Sequence, residues 1–363
     1  MSLAERGSDA YSDLFGCSDE VPRGDREKLE SLLQGSGMLS VARCRPHEVN
    51  IPWSVLYRLP LINESGKRAT YCGKARANEA MLDNPEACRS QPGCPLGAAP
   101  RHTVCPLGFL GVSLEIEQPL GLASSRPEID VRAELVREAG RDMNVLRVTE
   151  PVKLFAGYHC DLGGFIGWFC RRLGDSIEVR HGDSVPMIRE EIETGDRPIH
   201  HLFCHGVEKD HVFSLLFRAS GEDDERIKVS HFPAMPADEP RDRLVFLSCC
   251  DGLAATPESI NGFVSLFRRH GALGVVGTEI QVKNRFAARF TADVLAHLIG
   301  GDGIVAAFRK ERRALMRTMN PLGFAYTPLA MGGLHLHQER GCRACHRQAA
   351  ESTHPIELFP SPT

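Results

Sequence analysis

Two apolar runs constrain this chain more than any other feature. Ile199–Cys204 leads into His205-Gly206, and Leu244–Ser248 leads into Cys249-Cys250-Asp251-Gly252. Such runs read as strands covered on both sides, the setting of a parallel sheet. In open α/β sheets, chemistry collects beyond the carboxyl ends of the strands. A histidine at one end and a cysteine at a neighbouring one make a thiol-protease arrangement, and the pair has to meet in space rather than along the chain.

The flanking sequence supplies the rest of such a sheet. Val152–Cys160, Ser176–Val179 and Ala272–Gly277 read as further strands. Helices are expected over Leu162–Leu173, where Phe165, Ile166, Phe169 and Leu173 recur at helical spacing, and over Val185–Glu193, Ser259–Arg269, Phe286–Ile299 and Ile304–Met319. Val212–Ala219 and Ile227–His231 predict a hairpin with a charged tip, and Phe324–Leu336 a closing strand. Strands alternating with helices predict a mostly parallel sheet flanked by helices on both faces, an α/β fold. Four parts are expected: a loose polar arm over 1–28, a loop-rich and Cys-rich part over 29–140, the catalytic domain over 141–338 and a Cys/His tail over 339–363.

Composition narrows the function classes. With 363 residues, 42% of them hydrophobic and 25% charged, the chain has the make-up of a soluble protein with a large core. A net charge of −4 without a basic stripe argues against nucleic-acid binding. Met1–Asp9 carries no apolar signal core and no stretch approaches a membrane span, so a cytoplasmic protein with no membrane association is expected. In a reducing compartment the thirteen cysteines are expected to serve packing, metal ligation or catalysis rather than disulfides.

A cysteine nucleophile acts as its thiolate, which a neighbouring imidazole stabilises. Cys250 ends a strand and precedes a Gly-Leu-Ala-Ala-Thr-Pro loop, which suits a nucleophile, and His205 suits the general base that later protonates the leaving amine. Gly206 has no side chain to block its amide, so its N–H and that of Cys250 are candidate oxyanion donors. By alternation, Cys249 and Cys204 point away from this pair and read as packing; His200 and His201 read as structural.

The same residues resemble the CHAT family of caspase-like cysteine peptidases, in the caspase and separase clan. The resemblance spans about 51–336 and rests on Ile51-Pro52-Trp53 with Leu56-Tyr57, Cys105-Pro106-Leu107-Gly108-Phe109-Leu110-Gly111, Ile116-Glu117-Gln118-Pro119, His205-Gly206, Leu247-Ser248-Cys249-Cys250, Gly271–Glu279 and Tyr326-Thr327-Pro328-Leu329. It implies a caspase-like fold, Cys250 as nucleophile and His205 as base. Cys249 stands where that family usually has alanine. Asp161, near where clan members place a pocket residue, and Glu279, after the strand that follows the nucleophile, are candidate substrate-binding acids that favour a basic or polar residue before the cut. The resemblance also implies regulated signalling or prokaryotic defence and a protein substrate such as a gasdermin-like effector; for a short unit without a large repeat sensor, control by a partner chain, a nucleotide signal or self-cleavage is expected.

The chemistry requires no cofactor. Cys72, Cys88, Cys94 and Cys105 would suit a structural zinc, although their spacing lacks paired Cys-x-x-Cys knuckles. His335, His337, Cys342, Cys345 and His346 form a second Cys/His group whose Cys-x-x-Cys-His is formally a haem attachment sequence; without an export signal, zinc is the better metal for it. The competing readings are a catalytically silent caspase-like scaffold, a metal-binding interaction module, and transpeptidation or ligation on the same fold.

Overall fold

The computed structural model describes residues 3–15, 24, 28, 31–33, 37–41, 51–59, 61, 70–73, 82, 94, 102–120, 142–158, 163–209, 212–217, 226–232, 241–249 and 257–339. Its main sheet contains β1 (Val152–Tyr158), β2 (Ile177–Gly182), β3 (Ile199–Lys209), β4 (Val212–Leu216), β5 (Arg226–Lys228), β6 (Arg243–Cys249), β7 (Ala272–Thr278) and β8 (Tyr326–Ala330). Through its centre the order is β2-β1-β3-β6-β7-β8, with every neighbouring pair parallel except the last. β8 carries Pro328, whose missing N–H is tolerated on an edge strand.

Helices α1 (Gly163–Leu173), α2 (Val185–Thr194), α3 (Pro257–Arg269), α4 (Asn284–Ile299) and α5 (Ile304–Arg317) cover both faces. One face joins Ile199, Phe203, Leu244 and Phe246 to Phe169 of α1, Phe290 of α4 and Phe308 of α5. The other joins Leu202, Cys204, Val245, Leu247 and Cys249 to Ile188 and Ile192 of α2 and to Phe263 and Phe267 of α3. Successive residues of β3 and β6 thus enter opposite cores, as the period of two requires. Both strands are buried on both sides, which is why their sequences read as near-continuous apolar runs. After α3 the chain turns at Gly271, whose φ of +94° and close approach to the Arg241 carbonyl admit no side chain.

The expected mostly parallel sheet between two helical layers is therefore present, with four local differences. β3 does not stop before His205 but runs to Lys209, and its extension pairs antiparallel with β4. The strand expected over Ile227–His231 is shorter: Arg226–Lys228 pairs with β4, and Val229–His231 is a 3-10 turn. The expected closing strand Phe324–Leu336 is divided. Pro321–Ala325 is a 3-10 turn, Tyr326–Ala330 is β8, and after a turn at Gly332-Gly333 the segment His335–Gln338 pairs in parallel with Val145–Val148 in a separate small sheet. The fourth difference lies in the polar N-terminal arm, where Leu3–Phe15 is a helix. Its Ala4 is buried, a Cβ on Gly7 would strike the Val55 carbonyl, and Tyr11 and Phe15 pack against the cluster of Leu56 and Leu110, so the helix docks through one face.

The described part of 29–140 consists of short pairs and turns, including Met38–Ser40 with Glu115–Glu117 and Thr70–Tyr71 with Thr103–Val104. Its apolar cluster of Tyr57, Cys72, Leu82, Cys94, Cys105 and Phe109 is completed by Met316 and Phe324. Polar contacts reinforce the junction: Tyr71 donates to the Met316 carbonyl (2.7 Å), Arg313 to the Val112 carbonyl (2.9 Å), and Arg309 pairs with Glu115 (2.6 Å). These two parts of the chain share a core.

Candidate active site

The candidate site is built where β3 and β6 end their parallel pairing. Their register runs from Ile199–Leu244 to Cys204–Cys249. Both cysteines are buried and belong to the same apolar cluster, so their expected packing role agrees with their surroundings. His205 follows Cys204 and is exposed, at the position where β3 passes from the parallel sheet into the hairpin opposite Leu216. Gly206 is half-buried opposite Leu215, within the hairpin rather than in a turn. Cys250 and Asp161 lie outside the described residues.

Three histidines on one strand meet three environments. His200 faces the α2 side, fully buried 3.7 Å from Glu191, and its basicity is depressed first by burial and then by the nearby Arg243. His201 faces the other core, stacked on Phe169 at 5.8 Å, and burial pushes its pKa down to about 3. Only His205 of the three is open to solvent. A base that must take up a proton near neutral pH cannot be either buried ring without a large desolvation cost.

Beneath His205, on the same side of the sheet by alternation, a polar network crosses three strands. His201 Nε2 lies 3.0 Å from Ser248 Oγ, and Ser248 Oγ lies 3.3 Å from the Tyr326 hydroxyl. The His201–Ser248 contact has the spacing of a serine–base pair, but both residues are sealed in the core and no substrate carbonyl can reach them. One residue further along β6, the Cys249 carbonyl accepts a hydrogen bond from the buried Thr278 hydroxyl at the end of β7.

Glu279 follows Thr278 at this edge and is half-buried. Its amide donates to the Ala325 carbonyl (2.8 Å), and its carboxylate accepts from Thr327 Oγ1. It also attracts the guanidinium of Arg312, which is buried in α5 and donates to the carbonyls of Tyr326 (2.6 Å) and Gly323 (3.2 Å). Burial lowers the Arg312 pKa to about 10, while Glu279 opposes that shift. Glu279 therefore supplies charge balance to the fold, a role that its sequence position did not reveal. Nor did sequence reading identify the His201–Ser248–Tyr326 network, although an i, i+2 count from His205 and Cys250 places His201 and Ser248 on their face.

Of the four cysteines considered for zinc, Cys72, Cys94 and Cys105 are buried in one apolar cluster and Cys88 lies outside the described residues. His335 and His337 stand on the short strand His335–Gln338; Cys342, Cys345 and His346 lie outside the described residues. Among the described residues, no group of three or more His, Cys, Asp or Glu side chains is arranged to hold a metal ion. Within the same limits, no helix is long and apolar enough to cross a membrane. A cavity of ≈ 200 Å³ lined by Arg180, Glu190, Glu191, Thr194, Asp196 and Arg241 lies at the opposite, amino edge of the sheet.

Two crystal structures of the Saccharomyces cerevisiae separase–securin complex are 14% identical to this chain. They have TM-scores of 0.36 and 0.40, over 63% and 65% of this chain and 15% and 16% of theirs. A probable protease of Vitiosangium sp. (strain GDMCC 1.1324) is 36% identical over 107 residues, which make up 29% of this chain and 14% of that protein. This chain thus matches a small part of that relative's length. Residues 175–354, which contain β3, β6 and β7, match the CHAT domain. Over those residues the chain accordingly carries a CHAT domain.

Proposed function

We propose that the chain is a cysteine endopeptidase that opens a peptide bond of a protein partner through Cys250 and His205. The observation that carries this reading is the register pair Cys204–Cys249 at the carboxyl edge of two adjacent parallel strands. His205 and Cys250 follow Cys204 and Cys249 directly in sequence, each one peptide unit (about 3.8 Å between Cα atoms) beyond that pair. The exposure of His205, against the burial of His200 and His201, supports the choice of base.

In this mechanism the thiol of Cys250 gives its proton to His205 and the sulfur attacks the scissile carbonyl carbon. The amides of Gly206 and Cys250 receive the developing oxyanion. His205 then protonates the leaving amine, and water hydrolyses the thioester to regenerate the thiol. Cys249 is a poor rival nucleophile because its side chain is sealed among Leu247, Val245 and the α3 side chains. Asp161 and Glu279 would favour a basic or polar residue before the cut; the engagement of Glu279 with Thr327 and Arg312 leaves Asp161 as the stronger of the two. The biological setting we favour is regulated signalling or prokaryotic defence in the cytoplasm, with a gasdermin-like or other effector as substrate and a partner chain in control. No cofactor enters the chemistry, and metal analysis of the purified chain tests a structural zinc at the N-terminal cysteines.

The deciding experiment incubates the wild type, Cys250→Ala and Cys249→Ala with candidate partner proteins and resolves the products by mass. Cleavage is expected with the wild type and Cys249→Ala and lost with Cys250→Ala; the reverse pattern reassigns the nucleophile. Products joined to a second peptide, rather than to water, would make the enzyme a ligase.

A further inference from the structure

The hydroxyl of Thr278 has no role in the mechanism just described, yet it is bonded to the peptide group at the centre of it. The backbone pairing of β6 with β7 ends at Leu247–Gly277. Two residues later, the carbonyl of Cys249 accepts from the Thr278 side chain, which is fully buried. That carbonyl belongs to the Cys249–Cys250 peptide, and a trans peptide is a rigid plane whose C=O and N–H point in opposite directions. A hold on the oxygen would therefore carry over to the direction of the following N–H. Ser248, the residue before this peptide, is held in turn by His201 (3.0 Å) and Tyr326 (3.3 Å), so the last two residues of β6 are secured from β3, β7 and β8.

We infer that Thr278 is a positioning residue for acyl transfer: its hydroxyl orients the Cys249–Cys250 peptide so that the Cys250 amide faces the developing oxyanion. The inference rests on the proposed role of Cys250. Its energetic logic is that an oxyanion donor contributes only when aimed at the place where charge develops, and one well-aimed donor supports about a 10²–10³-fold rate difference. A donor left loosely aimed forfeits part of that, so loss of the Thr278 hydroxyl is expected to cost about ten-fold or more. Valine keeps the shape of threonine and removes the bond, whereas serine keeps the bond.

Two small probes separate this role from a merely structural one, and neither requires the natural substrate. p-Nitrophenyl acetate acylates a cysteine through a tetrahedral oxyanion: sulfur bonds to the carbonyl carbon, p-nitrophenolate leaves, and the thiol proton passes to His205. Iodoacetamide alkylates the same sulfur by displacing iodide, with no oxyanion. In the full chain, with labelling assigned by peptide mass, Thr278→Val is expected to slow acylation of Cys250 at least ten-fold. Alkylation should stay within two-fold of wild type, and Thr278→Ser should restore acylation. Equal slowing of both reactions, or neither slowed, overturns the positioning role. If Thr278→Val does not fold, Ser248→Ala is expected to show the same split in weaker form, and its absence has the same meaning. Wild-type acylation that avoids Cys250 and persists in Cys250→Ala overturns the nucleophile assignment itself and the inference with it.

Discussion

The two ends of the central strands are both polar, and they use polarity in opposite ways. At the amino edge, β6 begins with Arg243, which is buried and donates to the carbonyls of Ile192 (2.9 Å), Glu191 (3.3 Å) and Gly195 (3.2 Å). It closes the last turn of α2, whose carbonyls have no partner within the helix. Arg180 and Arg197 each approach Glu191 at 3.5 Å. At the carboxyl edge, Thr278, Ser248, His201 and Tyr326 secure the strand ends from within, while His205 projects beyond them into solvent. One edge consumes its polar groups in closing the fold; the other carries an exposed histidine above a buried polar network.

If this contrast is right, substitutions at the two edges separate activity from stability. The largest expected effect is on activity. His205→Ala should lower proteolysis by about 10³-fold or more. The unfolding free energy should stay within about 0.5 kcal/mol because the side chain is exposed. A parallel fall in both, read by urea denaturation beside the cleavage assay, would erase the distinction.

Arg243→Met should do the reverse. It leaves Glu191 facing fewer positive charges and takes the Arg243 donor from the Ile192 and Gly195 carbonyls, and is expected to cost about 3–5 kcal/mol of stability. At a urea concentration where the variant is still folded, Cys250 should alkylate with iodoacetamide at close to the wild-type rate. A large loss of thiol reactivity in the folded variant would show that the edges are coupled. Between these extremes, Ser248→Ala is expected to destabilise by about 1–3 kcal/mol, because it leaves the buried His201 and Tyr326 short of a partner.

Acid sharpens the comparison, since both edges carry buried histidines. Burial lowers His201 to about 3 and His270 to about 4, against an ordinary value of 6.5, and His200 shifts in the same direction. The unfolded chain takes up protons near pH 6.5 that the folded chain refuses. Stability is therefore lost as pH falls below 6.5, by about 1.4 kcal/mol per pH unit for each such histidine. Glu311 opposes this. Burial, and then the neighbouring Asp293, raise its pKa from 4.5 to about 7, so the folded chain keeps a proton that the unfolded chain releases. Its contribution to stability grows as pH falls from about 7 to 4.5 and is then complete. Urea midpoints should decline below pH 6.5, less steeply than the three histidines alone would cause, and Glu311→Gln should steepen that decline. An unchanged profile in Glu311→Gln would remove the carboxyl from this account.

Much of this was legible in the residues. Apolar runs without a wet face identified β3, β6 and β7, and alternation along them correctly separated Cys204 and Cys249 from the face that His205 occupies. The extension of β3 past His205 was not legible, because a hairpin partner for Val207 is chosen by tertiary pairing and the run of apolar residues had already ended. Phe324–Leu336 misled for a related reason: its apolar content is continuous, but the Gly332-Gly333 turn sends the second half to a different strand, Val145–Val148. The helix Leu3–Phe15 was missed because its docking face, Ala4, Gly7, Tyr11 and Phe15, begins with two small residues set among polar ones, which conceals the helical spacing.

The sequence by itself determined the layers of the fold and which histidine and cysteines to examine, because the two-residue period of a strand is a local property of the chain. Only the tertiary structure decided that Cys204 and Cys249 are register partners, that Glu279 balances a buried arginine, and that a threonine from the next strand holds the peptide before Cys250. Those relations join residues tens of positions apart. They depend on how neighbouring strands are aligned and on which hydroxyls and carbonyls are buried together, and neither is encoded in the spacing of residues along one strand.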